Sequence, residues 1–360
     1  MTMKQRVTAR RSCVLILASL TYMMSAQAQS SLALYGIVDG SVMYTSRTLN
    51  LSTKRNDGHQ VSFIDSGFSS SRFGLTGKED LGNGFQTSFK LESGFSIANG
   101  AFAHSNGNLF GRQAWIALSS PYGTVTTGLQ HSPFFLASDR LDPRHSSNFG
   151  SGIVTYVDNV IASGIFSANA IGYASPQIGG VRARVMLGLG NAANGFASGR
   201  TWSASVDYGY DGLFVGAAFY DSNAGAAPTP TLTTRQFEGR LIGASYRFGS
   251  VTAAASFTNY KVAGIANNDV CAGGFEIQVT PAFSMNTGVY FTSDRNHTGD
   301  HSILAAVGAG YALSKRTWIY AQGGLVDNHG RMNTGLALTN ALYASYGRTT
   351  GADIGFRHSF

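Results

Sequence analysis

The chain has 360 residues, with 26 Lys+Arg against 19 Asp+Glu, 45 Gly, 7 Pro and only 12% charged residues, about half the charged share usual in soluble proteins. No block of like charges suggests a nucleic-acid tail. After residue 28 no apolar run approaches the ~18 residues of a membrane helix, so a helical membrane protein is excluded.

Residues 1–28 read as a secretory signal peptide. Lys4, Arg6, Arg10 and Arg11 form a positive start, Cys13 to Met24 is apolar, and Ala26-Gln27-Ala28 has the small-x-small pattern of a cleavage site. Its removal would take four basic residues and no acid, leaving 22 against 19, or +3, on residues 29–360. The remaining cysteine, Cys271, has no partner for an internal disulfide. An exported, aromatic-rich chain of neutral mean hydropathy without a membrane helix fits a transmembrane β-barrel, because lipid-facing and lumen-facing residues alternate and cancel in the average.

Taken in order, the segments support this. From Phe85 to Phe95 the odd positions suit lipid and the even ones water; Val181 to Leu187 and Trp202 to Tyr208 alternate likewise. Period two predicts strands, whereas Gly111 to Leu118 and Arg235 to Phe248 read either way. Seven tight turns punctuate the chain: Leu81 to Gly84, Pro121 to Gly123, Ile178 to Gly180, Tyr210 to Gly212, Phe248 to Ser250, Thr280 to Ala282 and Leu313 to Arg316. Two strands separated by a longer polar stretch lie between successive turns, which predicts about sixteen strands, short periplasmic turns and eight loops opposite. A soluble β-sandwich rarely shows so regular a series over 330 residues without prolines or linkers. The third loop, His131 to about Gly164, is the longest, and folded inward it would narrow a lumen that side chains cannot fill. At the C-terminus Ile354, Phe356 and Phe360 share one face, interrupted by His358.

Leu34-Tyr35-Gly36-Ile37-Val38-Asp39-Gly40, Ser71 to Gly84, Leu91 to Phe95, Leu109 to Ala114, Tyr122 to Val125, Tyr173 to Pro176 and the terminal Gly-Phe-Arg-His-x-Phe resemble, in order, the trimeric general-diffusion porins of Gram-negative β-proteobacteria. The resemblance implies a homotrimer of sixteen-stranded all-β antiparallel barrels, loop 3 folded into the pore, and recognition of Phe360 by the barrel-assembly machinery. It also implies contact with outer-membrane lipid and lipopolysaccharide. The chain departs from the family in lacking a basic residue in Ile165 to Gly172 and in the apolar start of loop 3, Pro133-Phe134-Phe135-Leu136.

Alternation turns Arg72, Lys90, Arg182 and Arg184 toward the lumen, and Arg112 matches the family's Phe-Gly-Arg-Gln. Such a ladder opposite acids on an inward loop would make a transverse field that sorts ions without holding them. The candidate acids are Asp139 and Asp142 in loop 3 and Glu92 on the wall, with Arg140 and Arg144 also in the loop. Mild anion preference follows from the basic excess. Small residues on the early strands, Gly36, Gly40, Gly74 and Gly77, suit a trimer contact there. No metal-binding helix motif, phosphate-cradling Gly loop or Gly-x-Ser-x-Gly occurs, and the histidines do not pair at ligand spacing, so neither cofactor, metal nor catalysis is expected. Alternatives are a solute-specific channel on the same barrel and, further off, a barrel enzyme or adhesin.

Overall fold

A computed structural model describes residues 30–159, 164–193, 195–225 and 235–360; the expected signal peptide, residues 1–28, lies outside the described residues. The first strands are β1 (Ser31–Thr45), β2 (Gln60–Asp65), β3 (Arg72–Gly82), β4 (Phe85–Gly94), β5 (Gln113–Ser120) and β6 (Gly123–His131). Two short helices follow, α1 (Pro133–Leu141) and α2 (Gly152–Asn159). Then come β7 (Phe166–Ala174), β8 (Val181–Gly188), β9 (Thr201–Tyr210), β10 (Leu213–Ser222), β11 (Phe237–Phe248) and β12 (Val251–Val262). The series ends with β13 (Ala266–Gln278), β14 (Phe283–Asp294), β15 (His301–Ala312), β16 (Thr317–His329) and β17 (Gly347–Ser359).

From β3 onward each strand pairs antiparallel with the next, and β17 returns to β1 from Ser359↔Ile37 to Gly351↔Thr45. The sheet is therefore closed. β1 pairs with β3 through Ser31 to Ile37 and with β2 through Gly40 to Thr45. β2 and β3 are thus two halves of one barrel strand, and the barrel has sixteen. The break between them, Ser66 to Ser71, turns inward around Asp39. The Asp39 carboxylate accepts the Ser69 amide at 2.8 Å and the Tyr320 hydroxyl at 2.6 Å, so the backbone freed by the break finds partners.

Alternation decides what faces out. On β1 the side chains of Leu32, Leu34, Val42 and Tyr44 are exposed, while Ile37, Asp39, Ser41 and Met43 are buried inward. On β8 Val181 and Val185 are exposed and Arg182 and Arg184 lie between them. Leu32 and Ile354 are each 70% exposed; a whole belt of such residues suits lipid and not water.

All seven sequence-predicted turns join adjacent strands. Three are two-residue turns with both central residues at positive φ: Asn83-Gly84 (54° and 78°), Gly179-Gly180 (58° and 87°) and Asp211-Gly212 (45° and 83°). This is the geometry of a type I′ turn, whose twist matches a hairpin and which favours Asn, Asp and Gly. One expectation fails on the opposite side. β12 and β13 are joined by Ala263 to Ile265 alone, not by a longer polar stretch. The polar residues there belong to the strands: Asn259 Nδ2 donates to Asn267 Oδ1 at 2.9 Å and to Asp269 Oδ1 at 2.7 Å.

The apolar cluster lies inside the barrel, against one side. α1 packs on β9, β10 and β11, and α2 on β13 and β14. The last loop, between β16 and β17, also turns inward, burying Leu336, Ala337, Ala341 and Ala344 beside Phe149. No helix among the described residues is long and apolar enough to cross a membrane.

The early-strand glycines also lie close against rings of their own chain. Gly74 faces inward under Tyr35, and a Cβ there would stand 2.5 Å from the Tyr35 hydroxyl. On the outer face a Cβ on Gly77 would stand 2.3 Å from the Phe89 ring, and one on Gly36 2.2 Å from the Phe360 ring. These glycines seat rings of their own chain.

Candidate pore and constriction

The inner wall of β3 to β5 carries a cationic cluster built on one carboxylate. Glu92, on β4, is buried; its Oε1 accepts from Arg112 Nε at 2.9 Å, and its Oε2 accepts the Tyr35 hydroxyl at 2.8 Å. Arg72 Nε and Lys90 Nζ each lie 3.6 Å from Oε2. Strand register explains the gathering: Arg72 stands opposite Gly94, and Lys90 is two residues from Glu92 on the same face. Three cations around one acid leave an excess of two positive charges. Glu92 therefore fixes the basic wall and does not oppose it from across the pore. Arg112 also donates to the His104 carbonyl at 3.1 Å and lies 5.2 Å over the Phe166 ring.

Loop 3 crosses the lumen from this wall. Ser132 caps α1 by accepting the Phe135 amide at 3.1 Å, with Pro133 in the first turn. That fixes two neighbouring rings on different sides. Phe134 is fully buried, 6.0, 6.4 and 6.1 Å from the rings of Tyr156, Tyr220 and Tyr260; Phe135 faces the lumen beside His131, 5.2 Å away. Tyr220 and Tyr260 arise from inward positions of β10 and β12 and Tyr156 from α2, so Phe134 ties α1 both to the far wall and to the second helix.

Beyond α1 the loop is tied by polar groups. Asp142 accepts the amides of Ser146 at 2.7 Å and Gly152 at 3.2 Å, and the Tyr290 hydroxyl from β14. Arg144, expected among the constriction charges, has no exposed surface. Its guanidinium donates to Asn286 Oδ1 on β14 and Gln322 Oε1 on β16, both at 2.7 Å, and to the Phe149 carbonyl at 3.1 Å. Asp142 and Arg144 are therefore anchors of the loop. His145 Nε2 sits 2.9 Å from Glu276 Oε2, and that hydrogen bond holds the imidazole above its usual range. The last loop completes the plug: Gly150 donates to the Leu336 carbonyl at 2.7 Å and Leu338 to the Asn148 carbonyl at 2.9 Å.

Among the described residues, two cavities meet at α1. One, of about 450 Å³, lies between loop 3 and the cationic wall; its lining includes Arg72 and Arg112, the Phe166 ring beneath Arg112, and Phe135 and Ile153 of loop 3. The second, of about 790 Å³, lies at the end of the short turns, with Arg140, Arg182, Arg184 and Arg247 against Asp139, Asp207 and Asp211. Asp139 lines both and marks their junction. Arg184 is paired with Asp207, and the Arg140 guanidinium stacks 4.9 Å over the Phe214 ring.

Sequence reasoning missed Arg247 and Arg357. Arg357 is opposite Asp39 in register and stacks between Phe68 and Trp318 at 5.7 and 5.8 Å. The alternation that set Phe356 outward already pointed it inward. It missed the inward turn of the last loop altogether, for which a run of small and apolar residues, Gly335 to Leu338, was the only signal. Phe360 closes the barrel seam through paired backbone bonds with Gly36, at 3.1 and 3.2 Å. His358, on the outer face, hydrogen-bonds Thr317 Oγ1 at 3.0 Å. Cys271 is exposed, opposite the exposed Phe257. Among the described residues no group of three or more His, Cys, Asp or Glu could hold a metal.

The sequence profile of a family described as Gram-negative porin matches residues 15–331. An outer membrane porin protein of Bordetella pertussis is 27% identical, covering 93% of this chain and 96% of its own. Outer membrane porin protein 32 of Delftia acidovorans is 26% identical, covering 97% and 100%. Among solved structures, an anion-selective porin from Comamonas acidovorans superimposes with a TM-score of 0.79 at 23% identity, over 92% of this chain and all of that one.

Proposed function

The chain belongs to the Gram-negative porin family of the outer membrane, and from that premise we propose that it is a water-filled channel for passive diffusion of small hydrophilic solutes and ions, with a mild preference for anions. The observation that carries the preference is the Glu92 cluster, where three cations share one acid beside the open cavity. In a narrow, low-dielectric opening such an excess raises the local anion concentration without binding ions tightly, as conduction requires. Arg72, Lys90 and Arg112 form the cationic side of the constriction and Asp139 the acidic side. Arg140, Arg182 and Arg184 carry the field on into the inner mouth.

The same reading holds that residues 1–28 are cleaved on export and that Phe360 is recognised by the barrel-assembly machinery. It also holds that the barrel works as a homotrimer among outer-membrane lipid and lipopolysaccharide. A monomer mass in mild detergent, with a monomer band on unheated gels, would exclude the trimer.

The test of the channel is a planar-bilayer recording under a salt gradient. The reversal potential should indicate anion preference in the wild type. Arg72→Gln together with Arg112→Gln should move it toward cations while channels still insert. A wild-type potential on the cation side would mean that Asp139 and its neighbours dominate. An unmoved potential in the double variant would remove these two arginines from the constriction.

A further inference from the structure

We propose that the cavity between loop 3 and the cationic wall is a weak binding site for small organic anions with an apolar body, aromatic carboxylates of benzoate size foremost. This deepens the channel reading and depends on it. At about 450 Å³ the cavity has the size of a small-molecule site, and its two sides differ in chemistry.

One side is cationic. The Arg72 side chain is a quarter exposed, and Arg112 stands behind it with its charge fixed by Glu92. The other side is apolar and built from rings. Phe135, His131 and Phe166 form a tilted series with centroids 5.2 Å apart at both steps and interplanar angles of 40° and 37°, and the Arg112 guanidinium lies over the last ring. A carboxylate drawn to Arg72 would thus have an aromatic surface beside it, with Ile153 and Leu338 completing the apolar lining.

The rings are held in place. His131 Nδ1 donates to the Ile165 carbonyl at 3.1 Å, since a carbonyl only accepts, and the Ser132 cap sets the turn that presents Phe135. A sieve for ions and sugars needs no such wall, and an apolar surface facing a wet pore gains from being covered. Asp139 lies in the same cavity. It repels the carboxylate from its own side and turns it toward the arginines, while the arginines exclude a cation carrying the same ring. Partial cover of one phenyl face corresponds to roughly tenfold in affinity over a polar anion of similar length.

The test uses the full protein in planar bilayers at neutral pH. Chloride conductance is recorded first, then its reduction by benzoate, gluconate, benzyl alcohol and benzylammonium. Benzoate should reduce the current at concentrations roughly tenfold below gluconate, and both benzyl alcohol and benzylammonium should be weaker than benzoate. Phe135→Ser and Ile153→Asn, made separately, should each bring benzoate close to gluconate; if one fails to form channels, the other decides. Equal effects of benzoate and gluconate in a normally conducting wild type would overturn the site and leave the porin intact. So would a benzoate effect that survives in the variants. No conductance at all would remove the porin reading and the site with it.

Discussion

Arg144 shows how far a charge's place can differ from its apparent purpose. Three acceptors, from β14, β16 and the loop's own Phe149, surround a guanidinium with no exposed surface. Burying a cation is costly unless it is hydrogen-bonded; here both terminal nitrogens are bonded, and they tie the loop to the wall of β14 and β16, while Nε is left without a partner. Arg144→Ala would leave the Asn286 and Gln322 oxygens without that donor, at a cost of about 1–3 kcal/mol to the docking of loop 3. We expect larger, noisier single-channel conductance and faster proteolysis in the loop, with the barrel still folded on unheated gels. Unchanged conductance would mean that Phe134 and its tyrosines hold the loop alone. Glu92 teaches the reverse lesson. In sequence it reads as one more acid on the wall, and register makes it the acid that assembles the cations.

At the scale of elements, the seam between β1 and β17 depends on a missing side chain. A Cβ on Gly36 would meet the Phe360 ring at 2.2 Å and the Arg72 carbonyl oxygen at 2.8 Å. Gly36→Val should therefore destabilise closure by about 1–3 kcal/mol, as overpacking does. The check is refolding of the purified chain into detergent, where no assembly machinery acts. A lower temperature of heat-induced band shift is expected, and wild-type behaviour would show that the ring can move aside. The strands and turns were legible because period two and Asn-Gly or Asp-Gly pairs are local signals. The split of the second strand was not, since it depends on Asp39 and Tyr320, far away in sequence. The missing loop between β12 and β13 was hidden because side chains bonding across a strand pair look, in sequence, like a polar loop. Of the site, the inward arginines followed from alternation; the pairing of Arg184 with Asp207 required the register of β8 on β9, and the burial of Arg144 required loop 3 to meet β14 and β16.

For the whole molecule, net charge is a poor guide to selectivity. Without its first 28 residues the chain carries only +3, yet the Glu92 cluster concentrates an excess of two beside one cavity. A local field of this kind is screened over about 10 Å at 0.1 M salt and about 3 Å at 1 M. Anion preference should therefore fall steeply as both compartments are raised from 0.1 to 1 M at a fixed gradient ratio. A preference indifferent to salt would point to a site that binds ions closely rather than to a field.

The closing pair of strands also sets a timetable. Residues 37–45 wait for residues 351–359, the longest separation in the sheet, and loop-closure entropy places such contacts last. Gln322, which holds Arg144, and Leu336, which receives Gly150, belong to that same late quarter. The last ties of loop 3 and the sealing of the barrel's edge therefore come from the same late segment. A chain halted before that point would be an open sheet with the edge of β1 unpaired, not a closed hole.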